Sequence, residues 1–318
     1  MSKHHRNRNW APAPQPLPED AHVIDNHTHV ASVVPFSQAM SHEAMEKGQG
    51  EVPVYSVDEL LEQAQKVGVE GVIDCGCELP NLMTAIDMAR EHPGTVHAAI
   101  AIHPNESVLH GHRGVPGPDG LPLKYKPWHD TSFEDAMAEV HRLATTYPNQ
   151  VVAIGETGMD LFRTGESAKE LQREAFRAHI ALAKELNLPM QIHDRDSHKE
   201  VIETLLADGA PEHTVFHSYS GDAEMGEIAR ENGWYLSLSG TSSYKGNDGI
   251  RESAKLVGMS HVMVETDAPY LSPMPYRGRT NAPYMIPYTL QALADYLDRS
   301  LAEIAKATRN TTRVVYGI

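Results

Sequence analysis

Six side chains of types that bind divalent cations stand at the ends of five short apolar runs in this sequence. They are His27 and His29 in DNHTH, Glu156 in GETG, His193 in QIHDR, His217 in VFHSY and Asp267 in VETDAP. Imidazole nitrogens and carboxylate oxygens are ligands that Zn²⁺, Mg²⁺ and Mn²⁺ take from proteins. One such motif alone says little, but the six together predict a centre for divalent metal ions.

The spacing inside two of these runs agrees with a shared centre. Side chains two positions apart on a strand point to the same face of the sheet. His27 and His29 are therefore expected to face one way, and the same holds for Glu265 and Asp267. One strand end can thus supply two neighbouring polar groups.

Roles without metal are the alternative for each histidine. The chain contains 19 histidines, so His-x-His pairs also arise without a function. A polar turn after a strand would account for His27 and His29. A hydrogen-bonded core imidazole would account for His193 or His217 taken singly. The occurrence of the last two at equivalent depths in consecutive strands favours metal ligation.

The carboxylates suggest distinct roles. Glu156 directly follows the apolar run VVAIG, where an unpaired carboxylate would be costly to bury. Each of its oxygens can serve one of two cations, so Glu156 is the predicted bridge. Asp267 is expected to bind a metal ion and to accept a proton from the attacking water. Glu265, one layer deeper, is expected to orient an imidazole.

Two further polar residues follow the third and fourth apolar runs. His103 in AIHPNE is either a turn residue before a helix or a donor to a substrate oxygen or phosphate. We count it as a catalytic candidate beside Asp267 and Glu156. Asp160 in TGMDL either supports the loop after Glu156 or caps it.

The elements that must position these residues alternate along the chain. Val-, Ile- and Leu-rich runs typical of buried parallel strands occupy residues 21–27, 70–76, 96–104, 151–158, 189–195, 214–221, 234–240 and 261–269. Helical patterns occupy residues 57–68, 81–91, 132–147, 166–187, 197–208, 222–233, 249–258, 284–298 and 300–313. Eight strand–helix units predict a closed (β/α)₈ TIM-like barrel, in which active sites lie at the C-terminal ends of the strands.

Local signals support the helices and mark two long connections. Ser56 with Glu59, and Ser197 three residues before a glutamate, have the spacing of a capping box. The connections over residues 30–56 and 105–131 are long, and the second contains the Gly/Pro-rich run GHRGVPGPDGLP. Insertions at the catalytic face of a barrel are typical places for specificity.

Length and composition fit one barrel. The chain has 318 residues, of which 41% are apolar, and no apolar stretch approaches the roughly 20 residues that cross a bilayer. We expect a single hydrolase domain over residues 21–318. Residues 1–20 contain four alternating prolines and no apolar run, so they are expected to form a flexible tail and not a secretory signal.

The two cysteines are one residue apart. A disulfide between Cys75 and Cys77 would be strained, so the chain fits a reducing cytoplasm. The two thiols could instead bind a soft metal ion, but with no other thiol in the chain, small buried residues after a strand are favoured.

Charge argues against broad coating of nucleic acid. Lys+Arg 27 against Asp+Glu 43 gives a formal charge of −16, whereas such coating depends on neutralising phosphates. A local basic pocket remains compatible with this total. Basic and aromatic residues occupy the strand-to-helix loops at Arg113, Lys124, Lys126, Phe162, Arg163, Arg195, Tyr219, Tyr244, Lys245, Tyr270, Tyr276, Arg277 and Arg279. They suit phosphates and stacked bases, although ordinary loop composition is the alternative.

The motifs together resemble a known family. DNHTHV, AIHPNE, GETGMDL, QIHDRDSH, FHSYSG and VETDAPYLSP, in this order and spacing, resemble the TatD family of metal-dependent deoxyribonucleases. The later segment RGRTNAPYMIPYTLQALA is similar as well, so the resemblance covers about residues 22–316.

The resemblance implies an activity and a ligand set. It implies a TIM-like barrel with a divalent metal centre and hydrolysis of DNA phosphodiesters by a 3′→5′ exonuclease or an endonuclease. We expect two ions (Mg²⁺, Mn²⁺ or Zn²⁺) and, of the two activities, the 3′→5′ exonuclease type acting at DNA strand ends. The lack of a long apolar stretch predicts no membrane association, and no obligate protein partner is inferred from the sequence. The resemblance also implies contact of His103 with the scissile phosphate, with Arg195 and Arg279 nearby. The implied metal ligands are His27, His29, Glu156, His193, His217 and Asp267.

Two departures bear on the substrate. The family commonly has a second histidine where Asn105 stands, and a small residue where Asp194 stands. A carboxylate at position 194 would repel phosphate unless it pairs with Arg195. A hydrolase of a small amide, ester or lactone at the same site is therefore the alternative function, and a metal-binding protein without turnover is a third.

Overall fold

A single parallel sheet organises the computed structural model, which describes residues 9–48, 52–111, 115 and 124–318. Its strands follow one another in chain order, and every neighbouring pair is parallel. The strands are β1 Val23–Thr28, β2 Val69–Gly76, β3 Val96–Ile100, β4 Val151–Asp160, β5 Met190–Arg195, β6 Thr214–Phe216, β7 Tyr235–Leu238 and β8 Val262–Val264. The predicted eight strands and the (β/α)₈ barrel are confirmed.

The chain after β8 returns to the end of β1. The Asp267 amide donates to the carbonyl of His27 at 3.0 Å, and the His29 amide donates to the carbonyl of Ala268 at 3.0 Å. These bonds join the first and last strands at their C-terminal ends. Two of the sequence-predicted ligand motifs therefore meet at the seam of the barrel.

Helices connect the strands on the outside. Those in the described residues are α1 Val30–Glu46, α2 Val57–Lys66, α3 Leu79–Glu91, α4 Pro104–Ser107, α5 Phe133–Thr146, α6 Lys169–Leu186, α7 His198–Asp208, α8 Ala223–Asn232, α9 Asp248–Val257, α10 Ile286–Leu297 and α11 Leu301–Tyr316. All nine predicted helices are present, with ends shifted by a few residues.

Helix α1 lies in a segment that the sequence analysis treated as a long connection. Pro35 stands inside it, where a proline normally breaks a helix because it lacks the N–H group. Packing overrides this local preference, since Val30 and Val33 are fully buried. The carboxylate of Asp74 accepts a hydrogen bond from the Val30 amide at 2.6 Å and so satisfies the first turn.

The two expected capping boxes have different outcomes. Ser56 and Glu59 form the reciprocal pair at the start of α2, as predicted. The capping box expected at Ser197 is wrong. The Ser197 hydroxyl instead lies within hydrogen-bond distance of two acceptors, the carbonyl of Met159 at 2.8 Å and the carboxylate of Asp194 at 2.9 Å. It therefore ties the start of α7 to the ends of β4 and β5.

The expectation of a flexible tail is wrong for residues 9–20, whereas residues 1–8 lie outside the described residues. Trp10 and Leu17 are buried, and the Trp10 indole donates to the carbonyl of Pro53 at 2.8 Å. The carbonyl of Ala11 accepts from the Tyr284 hydroxyl at 2.8 Å. Prolines remove amide donors but keep carbonyl acceptors, and burial of the tryptophan ring favours packing of the segment on the barrel.

The interior of the barrel below its mouth is filled by side chains from several strands. Ile73, Ala99, Ala153 and Met263 form a buried cluster with Tyr316 of α11. The first four residues come from β2, β3, β4 and β8, which are not all neighbours, so their side chains meet in the interior of the barrel. This layer closes the barrel and leaves the C-terminal mouth as the open end.

The described residues contain no helix that is both long and apolar enough to cross a bilayer. Cys75 and Cys77 are free thiols, and Cys75 is buried in β2. The cytoplasmic location expected from the sequence stays a prediction.

Candidate metal centre

Glu156, near the end of β4, lies in the middle of the predicted ligands. Its Oε2 atom is 3.8 Å from Nε2 of His27 and 3.7 Å from Nε2 of His29. Its Oε1 atom is 2.5 Å from Nδ1 of His193 and 2.9 Å from Nε2 of His217. The two oxygens of one carboxylate therefore face two different groups of imidazoles.

Asp267 completes the group on the β1 side. Its Oδ1 atom is 3.4 Å from Nε2 of His29 and 3.9 Å from Nε2 of His27. Several sets of potential ligand atoms here lie within 4.8 Å of one another, including His27, His29 and Glu156. The structure thus brings all six sequence-predicted ligands together at the mouth of the barrel.

Each of the β1 imidazoles is held from behind by a neighbouring part of the barrel. Nδ1 of His27 donates to Oε1 of Gln191 at 2.9 Å. Nδ1 of His29 donates to the carbonyl of Cys75 at 3.0 Å. Because Nδ1 is engaged in this way, Nε2 of each ring is turned towards the centre.

The imidazoles of β5 and the chain after β6 are held by carboxylates. Nε2 of His193 donates to Oδ2 of Asp160 at 3.2 Å, and Nδ1 of His217 donates to Oε1 of Glu265 at 3.2 Å. Burial raises the pKa of Glu265, which also accepts from the Ser218 amide at 2.8 Å. The role of Glu265 in orienting an imidazole agrees with the sequence-based expectation.

Gln191 is a functional neighbour that the sequence analysis missed. Its amide group donates to the carbonyl of Asn26 at 2.7 Å and to the hydroxyl of Tyr316 at 2.9 Å, while its oxygen holds His27. One signal for it exists in the sequence. It is a polar residue inside an apolar run and stands two positions before His193, so it shares the face of that ligand.

The donor set fits divalent cations. Nε2 of His27 is buried and has no hydrogen-bond partner among the described residues. Burial, together with the charge of His217, lowers the pKa of His27 to about 3, so the imidazole is neutral and carries a bare lone pair. A buried polar atom without a partner is costly unless something binds it. A cation between the imidazoles and carboxylates would satisfy this atom.

Without metal ions, protons on histidine side chains offset the negative charge of the buried carboxylates. Burial acts against a charged His193, but Glu156 and Asp160 outweigh this effect and raise its pKa to about 9. Burial likewise acts against a charged Glu156, yet His217, His103 and His193 hold its pKa well below the usual value. Binding of a cation is expected to displace such protons, since metal ligands must be deprotonated.

His103 lies beside this cluster at the start of α4. Its Nδ1 atom accepts a hydrogen bond from the Asn105 amide at 3.0 Å, so the ring proton of the neutral form is on Nε2. Nε2 is 3.5 Å from Oε1 of Glu156, and the side chain lines the cavity above the centre. The structure therefore places the catalytic candidate His103 beside the predicted metal ligands.

A cavity of about 1000 Å³ opens above the ligands. Besides the ligands, it is lined by residues from several strand-to-helix loops, among them Cys77, Asn105, Arg163, Asp194, Arg195 and Tyr270.

A profile described as "TatD related DNase" matches residues 24–317 of the chain. The chain belongs to the TatD family.

Individual relatives agree with this assignment. An uncharacterized metal-dependent hydrolase TatD from Mycobacterium tuberculosis is 36% identical over 267 residues, covering 83% of this chain and 92% of that protein. The uncharacterized metal-dependent hydrolase YabD from Bacillus subtilis is 30% identical over 263 residues, covering 82% and 93%. The crystal structure of YJJV, a TatD homologue from Escherichia coli K12, matches with a TM-score of 0.74 and 23% identity, covering 94% and 99% of the two chains. The last likeness shows a shared fold.

Asn105 stands where the resemblance to the family implies a second histidine. Its amide group donates to Oδ2 of Asp160 at 2.9 Å, and the Arg163 amide donates to Oδ1 of Asp160 at 2.9 Å. Burial acts to raise the pKa of Asp160, but the hydrogen bond with His193 outweighs it and lowers that pKa to about 2. Asp160 is therefore an ionised carboxylate that positions His193, a role outside the two expected from the sequence, and its hydrogen bond from the Arg163 amide also supports the loop after Glu156.

Asp194 stands where the family resemblance implies a small residue, and the described residues do not show the pairing with Arg195 that would offset its repulsion of phosphate. Asp194 accepts instead from Nδ1 of His198 at 2.6 Å and from the Ser197 hydroxyl. This hydrogen bond with Asp194 raises the pKa of His198. The guanidinium of Arg195 lies 3.9 Å from the ring centre of Phe162 at the mouth.

A second cavity of about 550 Å³ shares Leu271 with the first. It is lined by Tyr244, Tyr276, Arg277 and Arg279, among others. The guanidinium of Arg277 lies 4.4 Å from the ring centre of Tyr244, and that of Arg279 lies 5.6 Å from the ring centre of Tyr276. Arg279, expected near the scissile phosphate, thus lines a neighbouring cavity.

The remaining basic and aromatic loop residues have mixed outcomes. Tyr219 is buried, and its hydroxyl donates to the carbonyl of Asp222 at 3.0 Å, so it presents no stacking surface. Phe162 and Tyr270 are about half exposed at the mouth, with 48% and 55% of their surface accessible. Arg113 lies outside the described residues.

Proposed function

We propose that this TatD-family hydrolase is a divalent-metal-dependent phosphodiesterase that shortens DNA from strand ends, as a 3′→5′ exonuclease does. The observation that carries the proposal is the position of Glu156, whose two oxygens face two separate groups of imidazoles. A carboxylate in this arrangement suits two cations that act on one phosphate group.

Two divalent ions, Mg²⁺, Mn²⁺ or Zn²⁺, would be held by the six clustered ligands. His27, His29 and Asp267 would hold one ion, His193 and His217 the other, and Glu156 both. Such ions supply Lewis acidity that polarises a phosphoryl oxygen and lowers the pKa of water.

Asp267 is the proposed proton acceptor. Burial alone would raise its pKa, but a hydrogen bond with His29 and the charge of His217 hold that pKa below the usual value. Its side chain keeps 13% of its surface accessible and lines the cavity. An ionised carboxylate that reaches the cavity can accept a proton from attacking water.

His103 is proposed to donate to the phosphate. The Asn105 amide occupies Nδ1, so the Nε2–H group is at the cavity wall beside Oε1 of Glu156. A positioned donor near developing negative charge stabilises the transition state of phosphoryl transfer. Arg195, which lies at the same mouth over Phe162, adds a cation for the adjoining phosphate.

The second cavity supports a nucleic acid over a small ester. Its arginines suit backbone phosphates, and its tyrosine rings suit stacked bases. Because the two cavities share Leu271, a strand with its end at the metal centre has a basic and aromatic path beside it. The net charge of −16 confines such binding to this local region.

Turnover by metal-stripped protein tests the proposal. Single-stranded DNA, duplex DNA and a generic phosphodiester are incubated with Mg²⁺, Mn²⁺ or Zn²⁺ restored, with Asp267→Asn as the control. We expect DNA to be shortened only with metal and only by the unaltered protein. Survival of DNA with every metal would overturn the proposal.

A small amide, ester or lactone remains the alternative substrate class. The observation that favours it is Asp194, whose buried carboxylate lines the main cavity and is unfavourable near phosphate. The same metal-restored protein is assayed against these compounds. Turnover of one of them without turnover of DNA would establish the alternative.

A further inference from the structure

Strand β2 brings two thiols to the mouth of the barrel. Cys75 and Cys77 are two positions apart, and both line the main cavity. Both are free, and Cys75 is 6% exposed. The proposed metal centre draws its ligands from other strands and uses neither thiol, so this pair has no role in the proposed hydrolysis.

The thiols lie next to a metal-binding imidazole. The two sulfur atoms and a ring nitrogen of His29 all lie within 4.8 Å of one another. In a tetrahedral zinc site with two thiolates and an imidazole, these atoms are about 3.6–3.8 Å apart. Small side-chain movements would therefore suffice to close the three around one ion.

We propose that Cys75, Cys77 and His29 form a third metal position, for one soft or borderline cation such as Zn²⁺ or Cd²⁺. Two thiolates and an imidazole are a softer donor set than the nitrogen and carboxylate ligands of the central cluster. Since both thiols line the cavity, an ion can enter from solvent and keep a fourth position for water.

His29 couples this position to the central cluster. Its Nε2 atom lies 3.4 Å from Oδ1 of Asp267, where it serves the central ligand set. A neutral imidazole has one lone pair and can bind one cation. A soft ion at the thiols therefore removes His29 from the centre and displaces the harder ion there. The thiol position needs no nuclease activity, whereas the displacement rests on the proposed metal centre.

Cadmium binding to the metal-stripped full chain tests the thiol position. We expect a near-ultraviolet charge-transfer band from thiolate to Cd²⁺ that saturates at one ion per chain. Cys77→Ser is expected to lose at least one thiolate contribution, and Cys75→Ala combined with Cys77→Ser to lose the whole band. Ser32→Ala, at another residue that lines the cavity, is the matched control and should keep the band.

A second measurement tests the coupling. Mn²⁺ is loaded first and its bound fraction is followed by electron paramagnetic resonance as Cd²⁺ is added. We expect Mn²⁺ to leave the unaltered protein as the thiolate band grows, and Cd²⁺ at the same concentrations to displace less Mn²⁺ from Cys77→Ser.

Several results would overturn the inference. Absence of the band in the unaltered protein, or its full retention in the double variant, would contradict the thiol position. A band that saturates while all Mn²⁺ stays bound would contradict the sharing of His29. These outcomes are independent of DNA turnover, so failure here is distinguishable from failure of the proposed function.

Discussion

Glu156 differs from most buried carboxylates because both of its oxygens face imidazoles. Burying an ionised carboxylate costs free energy unless positively charged groups, metal ions or hydrogen-bond donors surround it. His193 and His217 approach one oxygen, and His27 and His29 approach the other. The residue is therefore suited to hold two cations.

Replacement of Glu156 tests this role. Glu156→Gln keeps the shape of the side chain but removes its charge, and Glu156→Ala removes the bridge altogether. We expect metal occupancy and DNA hydrolysis to fall together, with a loss of activity of about 100-fold or more. Metal content after dialysis and the rate of hydrolysis are measured on the same samples.

Glu78→Gln is the matched control, because Glu78 lines the same cavity but is not among the clustered ligands. Retained hydrolysis in Glu156→Ala would contradict the bridging role.

Gln191 supports a second residue-scale prediction. Gln191→Leu should remove the acceptor for His27 and leave the Tyr316 hydroxyl without its donor. We expect metal affinity to fall about 10–100-fold, as for loss of other partners that orient a ligand. The free energy of unfolding should fall by about 1–3 kcal/mol, because buried polar groups lose their partners.

Metal titration and denaturant unfolding measure the two effects of Gln191→Leu. Gln191→Glu keeps an acceptor for Nδ1 of His27 and should restore part of the metal affinity. Unchanged metal binding in Gln191→Leu would show that His27 is oriented by other means.

At the scale of residues, the sequence predicted the ligands better than their supports. The six ligands stand in motifs at strand ends, and strand alternation gives the direction in which they face. The supports depend on which strands are neighbours around the barrel. Gln191 holds an imidazole from β1 although β1 and β5 are far apart in sequence, and Asp194 bonds to His198 because α7 begins beside it.

At the scale of elements, the eight strands were recognisable because each is a short apolar run followed by polar residues. Helix α1 was not, because Pro35 interrupts the pattern and its stability comes from packing of Val30 and Val33. The packed segment over residues 9–20 was missed for a similar reason. Its proline-rich composition indicates no regular element, and only the barrel surface provides its partners.

The segment between β8 and α10 supports a prediction about DNA binding. Arg277 of this segment lines the second cavity and stacks on Tyr244. We expect Arg277→Ala, introduced into the Asp267→Asn protein so that DNA is not cleaved under the proposed mechanism, to weaken binding of single-stranded DNA. The slope of log affinity against log salt concentration should become shallower by about 0.7 for each phosphate that the protein no longer neutralises.

Arg142→Ala is the matched control for Arg277→Ala. Arg142 lies on α5, pairs with Glu139 and lines neither cavity. Equal binding and equal salt dependence for Arg277→Ala and the unaltered protein would remove the second cavity from the path of DNA.

At the scale of the whole molecule, the proposed ions would join distant parts of the barrel. Their ligands come from the ends of β1, β4, β5, β6 and β8, including the seam between the first and last strands. Ions that bind only the folded state stabilise it by mass action. A −16 charge further favours uptake of cations from solution.

Metal addition should therefore stabilise the protein and release protons. At a metal concentration 100 times the dissociation constant, we expect a gain of about 2.7 kcal/mol in the free energy of unfolding. The pKa of His193 is raised to about 9 by Glu156 and Asp160 against the effect of burial, so this residue is protonated at pH 7 without metal. Metal binding must displace that proton, and affinity should rise with pH up to about 9.

Thermal unfolding with and without chelator measures the stabilisation, and calorimetry in buffers of different ionisation enthalpy counts the protons. A melting temperature that is independent of metal, or binding without proton release, would contradict the proposed ligation by these imidazoles.

The central claim is a two-ion centre, bridged by Glu156, that hydrolyses DNA. Its most direct test is a titration of Mn²⁺ into metal-stripped protein, with bound Mn²⁺ and hydrolysis of single-stranded DNA measured on the same samples. We predict that hydrolysis reaches its maximum at two bound ions per chain and is absent without metal. Full hydrolysis at one ion, hydrolysis by the metal-stripped protein, or two bound ions with no cleavage of DNA would each contradict the claim.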